Sequence, residues 1–466
     1  MTDSLFTLEN AVDAVSGRFV GPFCSTPVSG VSIDTRSLNP GDLFVALPGE
    51  KSDGHAYLSA AFAAGAAGAL VDLAKWELLP LKIREAGHCI LVENPLNSLQ
   101  DLARWYLDKF PSVLKIAITG SNGKTTTKEL LASVLENHRP TYASAGNFNS
   151  EIGLPLSVFG LTKEHLFGVF EFGTNRRGEI SLLSSILKPN IALVTNVGSA
   201  HIGMFGSREA IADEKGDIFS SFDSLSRGLM QENEAFARRM MAGKRGNFSY
   251  FGPGSTPGVE AVEDRGLEGS IIRFNGHNIH LHLPGEHNIL NACAAISAAR
   301  LCGADDAAIH RGIEAVKPSF GRSELIPGEV SVFQDCYNSN PESLKAGLAV
   351  IRNCGWTQGR RIGVFGSMKE LGELEKKLHE ESGRICAQSG FDAWFFLGAE
   401  ARYAYSAYTA AGGPSGFWSA EETKLKADLL EYVHPGDLVY LKGARSMGLE
   451  RIAASLQEGS GRRQVC

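Results

Sequence analysis

Short apolar runs alternate with stretches of helical period along most of the chain. VLKIAIT (Val113–Thr119), FGVFEFG (Phe167–Gly173) and NIALVTNVG (Asn190–Gly198) are each followed by a helix-like segment. Strands that alternate with helices in this way build a parallel sheet covered on both faces. The rhythm returns after Gly321, where EVSVFQD, RRIGVFGS, DAWFFLG and DLVYLKG are candidate strands, each ending in a polar or glycine-bearing loop. Nearer the start, Val31–Leu47 reads as strand, turn, strand about Asn39-Pro40-Gly41. Ala60–Val71 reads as a buried helix running into a strand. Asn97–Phe110 has a helical period, with Asn97 or Ser98 as cap and Pro111 as stop. A later helix is expected at Leu290–Gly303. The expected fold class is α/β in three domains: a small N-terminal α/β domain (1–110), a central parallel-sheet domain (111–320) and a C-terminal Rossmann-like domain (321–466). A chain of 466 residues is long enough for several cores.

Charge and cysteine usage narrow the class of protein. Lys and Arg number 45 against 52 Asp and Glu, a formal net charge of −7. A nucleic-acid binder would carry a basic footprint, so no nucleic-acid partner is expected. The eight cysteines are Cys24, Cys89, Cys293, Cys302, Cys336, Cys354, Cys386 and Cys466, with no Cys-x-x-Cys pair, which points to a reducing cytoplasm and away from a zinc site. The first residues are acidic where a signal peptide is basic. Ala60–Val71 is too short for a bilayer core, which needs roughly 20 apolar residues, so no membrane span is expected.

The chemistry begins at ITGSNGKTTTKEL, Ile118–Leu130. An apolar strand ends in a glycine turn that opens a helix, and the unpaired N–H groups of a helix start attract anions. Thr119, Gly120, Ser121, Asn122 and Gly123 form the turn, and Lys124, Thr125 and Thr126 open the helix. Lys124 can reach terminal phosphates and the Thr125 hydroxyl can meet Mg²⁺. The common phosphate loop has four residues between its first glycine and the Gly-Lys-Ser/Thr end; here only Ser121 and Asn122 separate the glycines. The loop predicts nucleotide binding without fixing the reaction. Glu171 and His201 fall at the carboxyl ends of two predicted parallel strands, where ligands bind open α/β sheets. Glu171 is a hard oxygen donor for Mg²⁺.

The shortened loop T-G-S-N-G-K-T-T-T resembles that of the Mur ligase superfamily, whose members form peptide bonds with ATP. The resemblance extends to EFGTNRRGEI (Glu171–Ile180), TNVGSAH (Thr195–His201), KGDI (Lys215–Ile218) and LPGEHNILNACAA (Leu283–Ala295). It implies a P-loop ATPase-like central domain with ATP and two Mg²⁺ ions as cofactors. Thr125 and Glu171 are then ligands of one ion, and His201 and a carbamylated Lys215 ligands of the other. Asn288 and Asn291, three apart on a helix, would read the adenine edge. The family often carries Glu two residues after the histidine, where this chain has Gly203.

The ends of the chain resemble one branch of the family, that which adds D-alanyl-D-alanine. GRSE (Gly321–Glu324), QDCYNSNPES (Gln334–Ser343), FGSMKELGELEKKLH (Phe365–His379) and LKGARSMGLERI (Leu441–Ile452) carry the likeness, with Gln334, Ser339 and Ala444 as departures. It implies that Arg322 and Asp335 approach ATP and that Tyr337, Asn338, Asn340, Lys442 and Arg445 serve the D-alanyl-D-alanine side. Arg322, Asp335, Lys442 and Arg445 are expected to reach the site only on domain closure. SIDTRSLNPGDLFVALPGEKSDGH (Ser32–His55) resembles a UDP-sugar domain, with Thr35, Arg36, Asp53, Gly54 and His55 as substrate residues. Asn147 and Asn149 in GNFNSEIGLP would line the UDP-substrate channel, beside Ser150 where the branch has Asn. The implied reaction is ATP-dependent joining of D-alanyl-D-alanine to a UDP-N-acetylmuramoyl-tripeptide through an acyl phosphate, by a monomer. The alternatives are another ligase of the superfamily, adding a third residue or glutamate to folate, or a nucleotide-gated binding protein without catalysis. The third residue of the tripeptide is not specified.

Overall fold

The computed structural model describes residues 4–21, 25–49 and 52–462. Cys24, Cys466 and the acidic first residues Met1–Asp3 lie outside the described residues, as do Glu50 and Lys51.

Three α/β units follow one another along the chain. The first holds a five-stranded sheet, in the spatial order Arg18–Val20, Cys89–Val92, Gly68–Asp72, Asp42–Val45, Gly30–Ser32. Gly30–Ser32 and Asp42–Val45 pair in parallel, so the Asn39-Pro40-Gly41 turn belongs to a return loop and not to a hairpin. Leu58–Ala63 is the helix expected before Gly68–Asp72. The helix expected at Asn97–Phe110 runs from Pro95 to Leu107, earlier than the sequence pattern placed it. Asn94, and neither Asn97 nor Ser98, is its cap, with Oδ1 accepting from the N–H groups of Leu96 and Asn97. Proline suits the first helical position because its missing N–H would have no partner there.

The central unit is a six-stranded sheet, all parallel: Asn247–Phe251, Arg227–Gln231, Ile191–Val194, Leu114–Thr119, Phe167–Glu171, Thr141–Ala143. Leu114–Thr119 lies in the middle, and the connections leave it in both directions. That switch point opens a crevice at the carboxyl ends of the strands. Ile116, Ile118, Val169, Ile191 and Leu193 are buried against the helices Lys124–Glu136 and Glu286–Leu301. The run Ala292–Ala299 is nearly all small residues, and with both helix and sheet around it every one is buried. A three-stranded antiparallel sheet, Val259–Asp264, Ser270–Phe274 and His277–Leu281, which the sequence analysis did not single out, follows in the chain before the helix Glu286–Leu301.

The third unit has a six-stranded sheet ordered Glu324–Ile326, Ser331–Asp335, Leu438–Lys442, Arg361–Gly366, Ala393–Leu397, Ser415–Ser419. All pairs are parallel except the first. The four strands expected from the sequence are present, and Glu324–Ile326 and Ser415–Ser419 extend the sheet on either side. Among the described residues no helix is long and apolar enough to cross a membrane.

Candidate functional site

The turn between Leu114–Thr119 and the helix Lys124–Glu136 is held open by its neighbours. Thr195 Oγ1 donates to Asn122 O at 2.6 Å, Asn122 N–H donates to Asn196 Oδ1 at 3.0 Å, and Gly198 N–H donates to Ser121 Oγ at 2.8 Å. The Thr-Asn of TNVGSAH therefore braces the loop backbone, a role its sequence did not reveal. Gly123 caps the helix at φ +81°, a left-handed conformation that suits glycine. A Cβ there would overlap Asn291 Oδ1. Asn291 also accepts from Thr127 Oγ1 at 3.3 Å and donates to Asn288 Oδ1 at 3.0 Å. Asn288 in turn donates to Pro284 O at 2.8 Å. Both amides line the cavity; Asn291 also ties the helix that follows the turn to its neighbour helix, and Asn288 holds Asn291 in place. The cap of that helix is Gly285, not Asn288.

Lys124 Nζ donates to Gly120 O at 3.0 Å and faces a cavity of about 1090 Å³. Burial pushes its amine below the usual lysine range; Glu171 opposes this and Arg322 adds to it. Thr125 Oγ1 donates to Glu171 Oε2 at 2.8 Å, and Asn149 Nδ2 donates to Glu171 Oε1 at 2.8 Å. Thr119 is buried and ties the loop to Phe172 O at 2.9 Å. Ser121, Asn122, Thr126, Asn147, Asn149, Glu171, His201 and Lys215 line the same cavity.

Lys215 is 2% exposed, yet no hydrogen bond or ion pair of its amine is found among the described residues. Burial brings its pKa down to about 7, Lys124 adds to the fall and Glu214 opposes it. A neutral amine is what reacts with carbon dioxide, so this environment suits a carbamate. Glu214 points elsewhere. Its carboxylate accepts from Gly178 N at 2.7 Å and Ile180 N at 2.8 Å, capping the helix Glu179–Leu187.

The donors fit a magnesium nucleotide. A hydroxyl, a carboxylate and an imidazole face a loop rich in N–H groups and cations. No group of three or more His, Cys, Asp or Glu able to cage a metal is present among the described residues. Mg²⁺ takes one or two protein ligands and completes its shell with phosphate and water, so a sparse donor set matches it.

The C-terminal unit closes one wall. Arg322 Nη2 donates to Thr125 Oγ1 at 3.2 Å, and its guanidinium lies 4.0 Å over the Tyr337 ring. The Tyr337 hydroxyl accepts from Asn147 Nδ2. Asp335 and Lys442 are register partners on adjacent strands and form an ion pair at 2.7 Å inside the cavity. Asn338 also lines the cavity, while its Oδ1 accepts from Ser339 N. Asn340 caps the helix Pro341–Asn353 and donates to Asn122 Oδ1 at 2.9 Å, so it joins the domains. Ser199 Oγ donates to Glu342 Oε2 at 2.6 Å in the same seam. Arg445 stands apart from the other expected residues: it packs on Phe320 at 4.9 Å, pairs with Glu450 at 3.1 Å and does not line the cavity. The Phe320 ring and the Glu450 carboxylate together hold its guanidinium away from the cavity.

The N-terminal unit reaches the cavity through Pro48 and Gly49, which the sequence reading did not single out. Asp53 pairs with Pro48 in a β-bridge and caps a short 3₁₀ turn that begins at Gly54. The His55 ring is 3% exposed, with Nδ1 2.6 Å from Asp53 Oδ1 and Nε2 accepting from Asp72 N at 3.0 Å. Lys75 also binds Asp53. His55 thus shapes the loop with both nitrogens, and its ring has no open face for a ligand. Arg36 pairs with Asp34 in solvent and, with Thr35, lies outside the cavity lining.

Comparison with known proteins agrees along the whole length. Residues 27–104 match the Mur ligase family catalytic domain, 118–299 the Mur ligase middle domain, and 321–445 the Mur ligase glutamate ligase domain. The UDP-N-acetylmuramoyl-tripeptide–D-alanyl-D-alanine ligase of Treponema pallidum is 38% identical over 435 residues, covering 92% of this chain and 94% of its own. A MurF crystal structure from Acinetobacter baumannii superposes with a TM-score of 0.87 at 28% identity, covering 97% and 99% of the two chains. A MurF ligase from Thermotoga maritima in complex with ADP gives a TM-score of 0.79 at 27% identity, covering 93% and 98%. With that identity sustained from one end to the other and a braced phosphate loop at the centre, the chain belongs to the Mur ligase family.

Proposed function

We propose that this chain is an ATP-dependent peptide ligase that joins D-alanyl-D-alanine to UDP-N-acetylmuramoyl-tripeptide, releasing ADP and phosphate. It works as a cytoplasmic monomer in peptidoglycan precursor synthesis. One observation carries the reading: a single cavity runs from Pro48-Gly49 past the phosphate loop to Asp335 and Lys442. A long UDP-linked substrate, a nucleotide and an amine acceptor have room to meet there. The relative from Treponema pallidum bears this activity in its name, and the Thermotoga maritima structure holds ADP.

The helix start at Gly123 and Lys124 holds the phosphates, and the Asn288–Asn291 pair stands on the nucleotide's side of the loop. Thr125 and Glu171 would hold one Mg²⁺, and His201 with a carbamylated Lys215 a second. Bound there, the ions would neutralise charge on the phosphates and the incoming carboxylate. The tripeptide carboxylate takes the γ-phosphoryl group and ADP leaves. The free amine of D-alanyl-D-alanine then attacks the acyl carbon. The tetrahedral adduct loses a proton and expels phosphate, leaving the amide. Arg322, Lys124 and Lys442 supply positive charge where negative charge accumulates. Asn147 and Asn149 would serve the UDP-linked substrate, and Tyr337 and Asn338 the amine acceptor.

Phosphate release, followed with UDP-tripeptide in the presence and absence of D-alanyl-D-alanine, tests the reading. Sustained release should require both substrates. Release that ignores D-alanyl-D-alanine but responds to diaminopimelate, lysine or glutamate, each supplied with its matching acceptor, would assign a different ligase, and release indifferent to every substrate pair would remove the ligase reading.

A further inference from the structure

Two residues that meet across the central and C-terminal units share an uncommon backbone. His201 has φ 61° and Glu370 has φ 63°. Both sit in the left-handed region, which is uncommon for L-residues; histidine is among those found there more often, and glutamate is not. Such strain persists where the surroundings enforce it, and it gathers at working sites. Glu370 Oε2 lies 2.6 Å from His201 Nδ1. The oxygen stands off the N–H direction, so the contact is electrostatic and not a linear hydrogen bond.

The surroundings are two backbones in direct contact. Gly203 N–H donates to Glu370 O at 3.3 Å. A Cβ on Gly203 would lie 2.5 Å from the Leu371 carbonyl carbon and 2.8 Å from Glu370 O, and would overlap the Gly372 amide. Any side chain at 203 would therefore push the 370–372 segment off the short helix Ile202–Phe205. The glycine that departs from the usual family residue is what lets Glu370 approach His201.

We propose that Glu370 is a positioning residue for His201. As the C-terminal unit closes, its carboxylate engages Nδ1 and leaves Nε2 as the nitrogen that faces a cation. Metal-ligating imidazoles commonly hold a carboxylate on their other nitrogen, which fixes the ring and raises its basicity. Here that carboxylate comes from the opposite domain, so the cation site is completed only in the closed enzyme. The inference rests on reading His201 as a cation ligand.

The test uses the full chain with a non-hydrolysable ATP analogue and UDP-tripeptide bound. Mn²⁺ serves as a spectroscopic probe, and its affinity is read by electron paramagnetic resonance. His201→Ala and Glu370→Ala should each weaken Mn²⁺ binding about ten- to a hundredfold. Glu370→Gln, which keeps the side chain's shape and loses its charge, should fall between Glu370→Ala and the unmodified enzyme. Gly203→Ala should reproduce the Glu370→Ala loss, and small-angle scattering should show a more extended particle. If Glu370→Ala binds Mn²⁺ as tightly as the unmodified enzyme while His201→Ala does not, the positioning role is overturned and the cation reading stands. If His201→Ala is also unchanged, the cation reading falls and the inference falls with it.

Discussion

Replacing Gly123 by alanine tests how the phosphate loop is built. At φ +81° an L-residue costs roughly 1–2 kcal/mol more than glycine. The new Cβ would also occupy the position of Asn291 Oδ1, so the Asn291 side chain must leave. Its departure breaks the bonds to Thr127 and Asn288. At about 0.5–1.5 kcal/mol each, the two add roughly 1–3 kcal/mol. The sum is about 2–5 kcal/mol, paid where the loop must keep its shape around a phosphate. A nucleotide that binds only that shape should lose roughly 30- to several-thousandfold in affinity. Calorimetric titration of a non-hydrolysable ATP analogue into Gly123→Ala measures it, with far-UV circular dichroism to check that the fold persists. Asn291→Ala provides the second arm. Alone it removes the same two bonds and should cost about 1–3 kcal/mol. In the double variant those bonds are already gone, so the combined cost should match Gly123→Ala alone. Near-normal nucleotide binding by Gly123→Ala would refute the reasoning, and so would costs that simply add, because the two sites would then not share the contact.

Lys124→Ala should lower ATP-dependent ligation by about 10²–10³-fold with an unchanged thermal midpoint, measured by phosphate release and calorimetry. Glu214→Ala should cost about 1–3 kcal/mol in urea unfolding, because two N–H groups at the start of Glu179–Leu187 lose their acceptor. Asp437 predicts the acid limb of stability. Burial pushes its carboxyl up, but Arg360 and the amides of His434 and Arg360 outweigh this and hold it below the usual range. Its contribution is full above the unfolded value of roughly 3.9 and is lost as pH falls through the lower folded value. Asp437→Asn should therefore be less stable near neutrality and flatter in acid, as chemical unfolding across pH will report. The loss should be about 3 kcal/mol, the low end for a buried pair because the Arg360 side chain is 32% exposed.

The strand–helix alternation and the phosphate loop were legible because each is local. A parallel strand buried on both faces must be largely apolar, and Val113–Thr119 and Phe167–Gly173 are, apart from Lys115 and Thr119 in the first and Glu171 in the second. A helix start that takes an anion needs glycine, lysine and threonine in consecutive positions, and Gly123, Lys124 and Thr125 supply them. Motif resemblance then pointed to residues that the tertiary structure gathers round one cavity, from Glu171 and His201 to Asp335 and Lys442. What the sequence could not carry was the direction of side chains set by distant neighbours. The bracing of the loop by Thr195 and Asn196 depends on two strands lying side by side. His55 looked like a substrate contact until its two nitrogens were found between Asp53 and Asp72. Arg445 looked equally placed, but Phe320 and Glu450 hold it. Gly203 read as a lost carboxylate, and only the packing of residues 370–372 against it brought a carboxylate back from the other domain. Local sequence decides whether a segment becomes a strand, a helix or a phosphate turn, because those choices depend on neighbouring residues. Which side chain faces the cavity is decided by contacts between residues far apart in the chain, and these exist only once the sheets have formed and the domains have met.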